Sequence, residues 1–318
     1  YQYRKSNKVS LRDKLIANNA ALNLKASKWY RLVNAIGNWN VVKGILGISK
    51  ARSLPKLQSL TFRQWMKTHV QTSSDRQVYL FCDEYTNFYD VEIGKKCVLL
   101  LNALGYQVLT IDHEESGRAF ISKGFLDEAK TIAKQNIASF SSVIKEEIPL
   151  IGLEPSAILS FRDEYIHLVD EESNQNAKNL AKHVYLVDEF ISNEIDRGRI
   201  NKNHFVTEEK RILLHGHCHQ KALSSSDYSQ KILSLPDGYK VSVIPSGCCG
   251  MAGSFGYEKE HYELSMTIGN DVLFPAINES ESDTLLAAPG TSCRHQIFDG
   301  TQRHALHPVE ILFNALKT

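Results

Sequence analysis

The stretch GYKVSVIPSGCCGMAGSFG, residues 238–256, joins a short apolar strand pattern to a glycine-rich turn with two adjacent cysteines. Apolar strands that alternate with helical segments are typical of βαβ units and parallel sheets. The same pattern occurs earlier as GYQVLTIDHEESG, residues 105–117, which aligns with residues 238–250 without a gap. The two passages therefore indicate an internal duplication.

Further similarities follow in the same order in both copies. An apolar strand ends at Cys82 in one copy and at Cys218 in the other. The later matches pair LIGLEPSA (150–157) with LLAAPGTSC (285–293), and HVYLVDEFI (183–191) with HALHPVEIL (304–312). We therefore predict an α/β fold with two pseudo-symmetric βαβ-type repeats and parallel sheets, spanning residues 78–210 and 211–318.

Residues 1–77 differ from the repeats in charge. They hold 15 Lys and Arg and only two acidic residues, a local charge of +13, so the rest of the chain carries −12 of the net +1. Their apolar residues recur at helical spacing, and Ser10 with Asp13 is a typical helix start. We predict a basic helical segment that connects to the two repeats.

This basic segment has three interpretations. It packs as an arm on the acidic repeats, which its charge favours. Alternatively, its lysines and its three tryptophans make peripheral contact with an anionic membrane. A nucleic-acid partner is not predicted, because no recognised nucleic-acid-binding signature occurs. No apolar run reaches the roughly 18–20 residues of a membrane span, so we predict a cytoplasmic protein, peripheral at the inner membrane face in the second interpretation.

The cysteines are the strongest chemical signal in the sequence. Six cysteines in 318 residues are too few for a disulfide scaffold, which favours a reducing compartment and a metal or redox role. Cys218, Cys248, Cys249 and Cys293 all follow predicted strand ends, where loops of open α/β sheets converge. Four thiolates at one point suit iron–sulfur or zinc chemistry.

The first repeat lacks this set. Its corresponding positions are predicted to be Cys82, Glu115–Ser116 and Ala157, so we interpret it as a degenerate copy that keeps the fold without the metal. Cys97 lies within the apolar run of a helix and is interpreted as a core residue.

Two arginines of the first repeat are expected to form ion pairs. Arg118 is expected to pair with Glu115, in the space that a cluster fills in the other half. Arg162 is expected to pair with Asp163 or Glu164 on a helix surface.

The second repeat resembles a known family. The segments that carry the resemblance are HGHCHQKAL (215–223), SGCCGMAGSFGYEKEHYELSM (246–266) and APGTSCRHQI (288–297). They are similar to the cysteine-rich CCG domain of heterodisulfide reductase B-type subunits, lactate-utilisation proteins, and the iron–sulfur subunits of glycolate oxidase and anaerobic glycerol-3-phosphate dehydrogenase. The first-repeat segments that also resemble this group are YTNFYDVEIGKKCVLLLNALGY, GRAFISKGFLDEAK and LEPSAILSFRDEY.

The resemblance is strongest to the C-terminal part of fused proteins of the D-lactate/glycolate oxidase type. In these, an FAD-linked oxidase domain precedes a ferredoxin-like segment and two CCG repeats. The resemblance implies an iron–sulfur electron-transfer module of an FAD-linked 2-hydroxy-acid dehydrogenase, an oxidoreductase. Its partners would be the flavin and ferredoxin-like domains, FAD would lie in a separate domain, and the electron acceptor is not identified. The fragment alone would be catalytically incomplete.

The resemblance also assigns the site residues. It makes Cys218, Cys248, Cys249 and Cys293 the ligands of one [4Fe–4S] cluster, and it assigns no catalytic residue here. Where many relatives read CCG and EPSC in the first repeat, this chain reads ESG and EPSA, so a first-repeat cluster is not expected. The CXXC ending of the family appears as CRHQ, which removes a fifth thiolate and favours a single cluster.

Two alternatives use the same cysteines. The first is a structural zinc site that includes histidines of HGHCHQ. Strand alternation would place His215, His217 and His219 on one face and Cys218 on the other, with a helix starting at His219. The second is a thiol–disulfide module, in which Cys248 and Cys249 would form a strained vicinal disulfide.

Overall fold

The computed structural model describes residues 2–317 and contains two four-stranded sheets. The strands are β1 (Gln77–Leu80), β2 (Gln107–Leu109), β3 (Leu150–Gly152), β4 (Val184–Leu186), β5 (Lys210–Leu214), β6 (Tyr239–Val243), β7 (Leu285–Ala287) and β8 (Ala305–Leu306). The strand orders are β2-β1-β3-β4 and β6-β5-β7-β8, and every pairing is parallel. The predicted fold class, two βα-type repeats with parallel sheets, is confirmed.

The helices of the first repeat connect β1 to β4 and continue beyond β4. They are α7 (Glu84–Phe88), α8 (Val91–Ala103), α9 (Arg118–Ser122), α10 (Leu126–Ser141), α11 (Pro155–Ile158), α12 (Glu164–Leu168), α13 (Glu171–Ala181) and α14 (Val187–Asp196), when the six N-terminal helices are numbered first. Helix α8 buries Val98 and Leu101 on its apolar stripe.

The second repeat has fewer helices around the same strand order. They are α15 (Cys218–Leu223), α16 (Ser226–Leu233), α17 (Tyr262–Asp271), α18 (Leu273–Asn278), α19 (Thr291–Thr301) and α20 (Pro308–Asn314). We propose the chain divisions 1–77, 78–210 and 211–318 on the basis of this matching strand order.

The N-terminal segment is helical, as its apolar spacing predicts. Its helices are α1 (Gln2–Ser6), α2 (Leu11–Ala17), α3 (Asn19–Ala26), α4 (Tyr30–Gly37), α5 (Asn40–Ile45) and α6 (Phe62–Thr68). Short 3-10 helices occur at Ser27–Trp29, Leu159–Phe161, Lys202–His204 and Phe255–Tyr257. Ser10 caps α2 by accepting a hydrogen bond from the Asp13 amide at 3.1 Å, which confirms the predicted helix start.

The two repeats pack on each other through helices. One buried apolar cluster contains Val98 of α8, Phe190 of α14, Ile232 of α16 and Leu312 of α20. Burial of this shared apolar surface joins the two sheets through a continuous core. Among the helices of residues 2–317, none combines the length and apolarity needed to cross a bilayer.

Candidate metal centre

Three loops at one edge of the second sheet carry the four cysteines. Cys218 opens α15 after β5, Cys248 and Cys249 lie in the loop after β6, and Cys293 lies in the first turn of α19 after β7. Strands β6, β5 and β7 are neighbours in the sheet. Because the carboxyl ends of parallel strands meet at one edge, the topology brings these distant cysteines together.

The four thiols lie close enough to affect one another's pKa values. Cys248 interacts with Cys218 and with Cys249, and Cys249 interacts with Cys293, whose donor atom lies within 4.8 Å of its own. Cys218 and Cys293 are also close enough to interact electrostatically. All six cysteines are free thiols. The structure thus gathers the predicted residues, and their role as ligands stays a prediction.

The four thiols differ in their access to solvent. Cys293 and Cys249 are 2% and 4% exposed, Cys248 is half-buried, and Cys218 is exposed. The set therefore has a closed side, against the core, and an open side at Cys218.

Proton sharing sets the charge of the four thiols. The pKa of Cys248 falls to about 2, mainly because the Cys218 thiol donates a hydrogen bond to its sulfur. The pKa of Cys293 is well below its ordinary value, mainly because of a hydrogen bond from Cys249. The donors Cys218 and Cys249 have raised pKa values for the same reason. The neighbouring thiols therefore favour loss of a proton at Cys248 and Cys293, and the thiolate is the form in which cysteine binds a soft metal.

The backbone of the cysteine loop is specialised at Gly250. Its φ is +95°, and a Cβ there would lie 2.3 Å from the carbonyl oxygen of Ser265. Its amide donates a hydrogen bond to the sulfur of Cys248 at 3.3 Å. Only glycine fits this close approach, and the amide that it presents stabilises a thiolate at Cys248.

The N-terminal segment holds this loop in place. The fully buried Arg52 donates to the Gly256 carbonyl and to the Ser265 hydroxyl, each at 2.8 Å, and forms a 3.1 Å ion pair with Asp299. A backbone bridge between Ile48 and Glu258 adds to this contact. Sequence reasoning missed Arg52, because one arginine in a basic stretch carries no distinguishing signal.

His215 is the first histidine of HGHCHQ and lies on the closed side. It is 1% exposed, and donor atoms of His215, Cys249 and Cys293 lie within 4.8 Å of one another. Its Nδ1 lies 2.7 Å from the Ser246 hydroxyl, whereas its Nε2 is buried without a hydrogen-bond partner among the described residues.

The other two histidines lie beside Cys218, which corrects the sequence prediction. Strand β5 ends at Leu214 and α15 begins at Cys218, so strand alternation does not separate the histidines from the cysteine. His217 caps α15, and donor atoms of His217, Cys218 and His219 lie within 4.8 Å of one another. His219 is therefore the second residue of the helix and not its start.

The residues present fit a metal group bound mainly by sulfur. Thiols and imidazoles are the ligand types that iron–sulfur clusters and zinc accept. Two observations support such a group: the Nε2 of His215, which has no hydrogen-bond partner among the described residues on the closed side, and the Gly250 amide, which donates to the sulfur of Cys248. A buried polar atom without a protein partner commonly marks the place of a bound ion or water.

The strand register corrects one predicted equivalence in the first repeat. Leu80 pairs with Ile151 in the first sheet, and Leu214 pairs with Ala287 at the same point of the second. Counting four residues beyond each strand end places Glu84, and not Cys82, at the position of Cys218. Both are also first residues of a helix.

The first-repeat positions form a carboxylate and hydroxyl cluster. Glu84 accepts hydrogen bonds from the Ser116 hydroxyl at 2.7 Å and from its amide at 2.9 Å. Burial raises the pKa of Glu84, and burial followed by repulsion from Glu84 raises the pKa of Glu115 to about 8. Burial is the main cause that raises the pKa of Asp83, the residue that caps α7, to about 8. Ala157 contributes no ligand atom and is fully buried.

The two remaining cysteines are core residues. Burial raises the pKa of both Cys82 and Cys97 to about 12. Cys97 is fully buried within the shared apolar cluster, which confirms its interpretation as a packing residue. The Cys82 amide lies 3.2 Å from Nε2 of His113, and its side chain is 3% exposed.

Both predicted arginine ion pairs are wrong. Arg118, the first residue of α9, pairs with Glu164 of α12 and not with Glu115. Arg162 pairs with Glu189 at 2.9 Å and donates to the Val184 carbonyl at 2.8 Å. It therefore ties the loop before α12 to strand β4 and helix α14.

A cavity of about 330 Å³ opens beside the cysteines. Its lining is mainly apolar and comes from all three parts of the chain. The N-terminal segment contributes Ile48 and Leu54, the first repeat contributes Tyr85, and the second contributes Cys218 and Cys248. The cavity gives a molecule from outside the protein access to the open side of the cysteine set.

Known proteins similar to this chain are dehydrogenases or parts of dehydrogenases. One subunit of the anaerobic glycerol-3-phosphate dehydrogenase of Escherichia coli (strain K12) is 28% identical over 315 residues, covering 96% of this chain and 78% of the relative. The D-2-hydroxyglutarate dehydrogenases of Pantoea ananatis and E. coli K12 are 26% and 27% identical over 83% of this chain. The chain spans about a quarter of those two larger proteins. No family model matches the chain.

Proposed function

We propose that this chain is the iron–sulfur electron-transfer part of a larger oxidoreductase. The observation that carries the proposal is the convergence of Cys218, Cys248, Cys249 and Cys293 at one sheet edge. Similarity to whole dehydrogenases and to one subunit of another supports the redox role. The cysteine pattern supports assignment of the second repeat to the CCG type.

The four cysteines would hold a [4Fe–4S] cluster. Such a cluster supplies reversible one-electron transfer when bound. The chain's own contribution is to bury Cys249 and Cys293 against the core and to direct the Gly250 amide at the Cys248 sulfur. The exposed Cys218 and the adjacent cavity leave one side accessible to an electron donor or acceptor.

The electrons would come from a flavin in a separate domain, by way of ferredoxin-like clusters. The relatives include dehydrogenases whose names specify a 2-hydroxy acid, D-2-hydroxyglutarate, which supports an FAD-linked 2-hydroxy-acid dehydrogenase as the parent. The chain's similarity to part of a glycerol-3-phosphate dehydrogenase fits the same scheme, because the oxidised substrate would bind in the flavin domain.

Anaerobic reconstitution with iron and sulfide tests the cluster assignment. We expect about four iron atoms per chain and an electron paramagnetic resonance (EPR) signal after reduction. Cys248→Ser should lose most of the signal, because it removes the thiolate that contacts both Cys218 and Cys249. Cys97→Ala, a change at a buried cysteine outside the site, is the matched control. A full signal in Cys248→Ser would contradict the proposal.

Zinc is the second candidate, and the cluster of His217, Cys218 and His219 favours it. Their donor atoms lie within 4.8 Å of one another, and zinc accepts both nitrogen and sulfur ligands. Elemental analysis of the same preparation separates the two candidates. Stoichiometric zinc that iron does not displace would support the structural zinc site.

The basic segment 1–77 is proposed to contact an anionic membrane surface while it packs on the second repeat. Arg12 and Arg52 form ion pairs with Glu258 and Asp299 of that repeat at 3.1 Å. Other residues of the segment leave large apolar side chains exposed, including Trp29 and Ile45 at 68% and 78%. Exposed apolar residues among lysines suit the interface of an anionic bilayer.

A further inference from the structure

The Nε2 of His215 makes no hydrogen bond within the described residues, although His215 lies near enough to Cys293 to help lower the pKa of that thiol. His215 lies against Cys249 and Cys293, the two least exposed of the four thiols. Because Nδ1 lies against the Ser246 hydroxyl, Nε2 is the ring nitrogen free to bond to another group. A buried polar atom without a partner is unfavourable, so a group that accepts this hydrogen would stabilise the site.

We propose that His215 donates a hydrogen bond from Nε2 to a sulfur of the iron–sulfur centre and thereby raises its reduction potential. The inference rests on the proposed function. Its acceptor is the thiolate of Cys249 or Cys293, or an inorganic sulfide of the cluster. The sequence pattern does not assign this role to His215, because His215 lies three positions before Cys218 and is not one of the four cysteines.

Ser246 fixes the form of the ring that can make this bond. The serine hydroxyl rotates freely and can donate to Nδ1 at 2.7 Å, which leaves the ring hydrogen on Nε2. The sulfur of Cys293 lies within 4.8 Å of a ring nitrogen of His215, and as a thiolate it favours the same tautomer, because that tautomer can direct an N–H group at it. Ser246 is 5% exposed, so water does not compete strongly for its hydroxyl.

The expected effect follows from charge. One-electron reduction adds negative charge to the cluster, and a hydrogen bond to sulfur stabilises the reduced form more than the oxidised form. Loss of the bond should therefore make reduction less favourable. A hydrogen bond to a charged group is strong enough to change the one-electron equilibrium constant by roughly tenfold, which corresponds to about 59 mV.

Redox titration of the reconstituted protein, followed by EPR, tests this inference. His215→Phe removes the hydrogen-bond donor and keeps a planar ring. We expect the reduction potential of this variant to fall by an amount that corresponds to about a tenfold decrease in the equilibrium constant for one-electron reduction. His215→Gln keeps an N–H and should lie between His215→Phe and the wild type. Ser246→Ala should also lower the potential. His113→Phe, at a buried histidine of the first repeat, is the matched control and should leave it unchanged.

Iron content separates the two ways in which the idea can fail. An unchanged potential in His215→Phe with normal iron content would overturn the role of His215 and leave the cluster assignment intact. Wild-type protein without a cluster signal would overturn the proposed function and this inference with it. If His215→Phe fails to retain iron, the reduction potential of His215→Gln tests the hydrogen bond in its place. A potential that is below the wild-type value and equal to that of Ser246→Ala supports the hydrogen bond.

Discussion

At the scale of single residues, Glu115 gives the first repeat a half-buried carboxyl group where the second repeat has a cysteine. It occupies the position of Cys248, its Oε2 has no hydrogen-bond partner among the described residues, and its pKa is raised to about 8 by burial and by the nearby Glu84. The folded state therefore binds a proton at Glu115 that the unfolded chain releases near pH 4.5. Stability from this group is present at low pH and is lost as the pH rises from about 4.5 through about 8.

Glu115→Gln should remove this pH dependence. We expect little difference from the wild type at pH 5, where Glu115 is neutral in the folded state. At pH 9 the variant should be more stable by on the order of 1–2 kcal/mol, because it avoids the buried negative charge. Urea unfolding at both pH values measures the difference. Glu114→Gln, at the exposed neighbouring position, is the control. A variant less stable than the wild type at pH 9 would contradict the assignment.

At the scale of elements, the segment around Arg52 acts as a strap over the cysteine loop. It bonds the Gly256 carbonyl, the Ser265 hydroxyl and Asp299, which lie in the loop after β6 and in helices α17 and α19. Helix α19 carries Cys293, so the strap links two of the three cysteine-bearing elements. Its buried guanidinium keeps the glycine-rich loop in one conformation.

Arg52→Ala should destabilise the protein by about 3–5 kcal/mol, since it leaves the Asp299 carboxylate with the Ser53 hydroxyl and without its charged partner. It should also lower iron retention, because the loop of Cys248 and Cys249 loses its support. Urea unfolding and iron content per chain measure the two effects. The control is Arg211→Ala, which breaks an exposed pair with Glu281 and should cost at most about 1 kcal/mol. Equal losses in both variants would show that the strap has no special role.

The strand pattern and the duplication predicted the convergence of the cysteines, because parallel strands place their loops at one edge. The equivalence of Glu84 with Cys218 was missed because the loop after the strand has no cue that fixes its length. Only the backbone register, Leu80 with Ile151 and Leu214 with Ala287, reveals it. Arg52 and the Nε2 of His215 depend on contacts between distant segments, which periodicity and spacing do not encode.

At the scale of the whole molecule, the basic segment packs on the second repeat and also exposes apolar side chains to solvent. Some of its cations are used inward, as in the pairs of Arg12 and Arg52 with the acidic second repeat. The segment also exposes large apolar side chains, among them Leu11, Leu24, Trp29, Leu32, Trp39, Val41 and Ile45. So many exposed apolar side chains in one segment are unusual on a free protein surface and indicate a binding face.

Liposome flotation decides whether that face binds a membrane. We expect the protein to float with vesicles that contain anionic lipid at low salt and to dissociate at high salt, because each lysine or arginine near the surface adds about 1 kcal/mol that salt screens. Replacing Trp29 and Ile45 by serine should weaken binding, since both side chains would enter the interface. Val70→Ser, at a 91% exposed residue outside the helices, is the control. Absence of flotation at either salt concentration would leave packing against the repeats as the role of the segment.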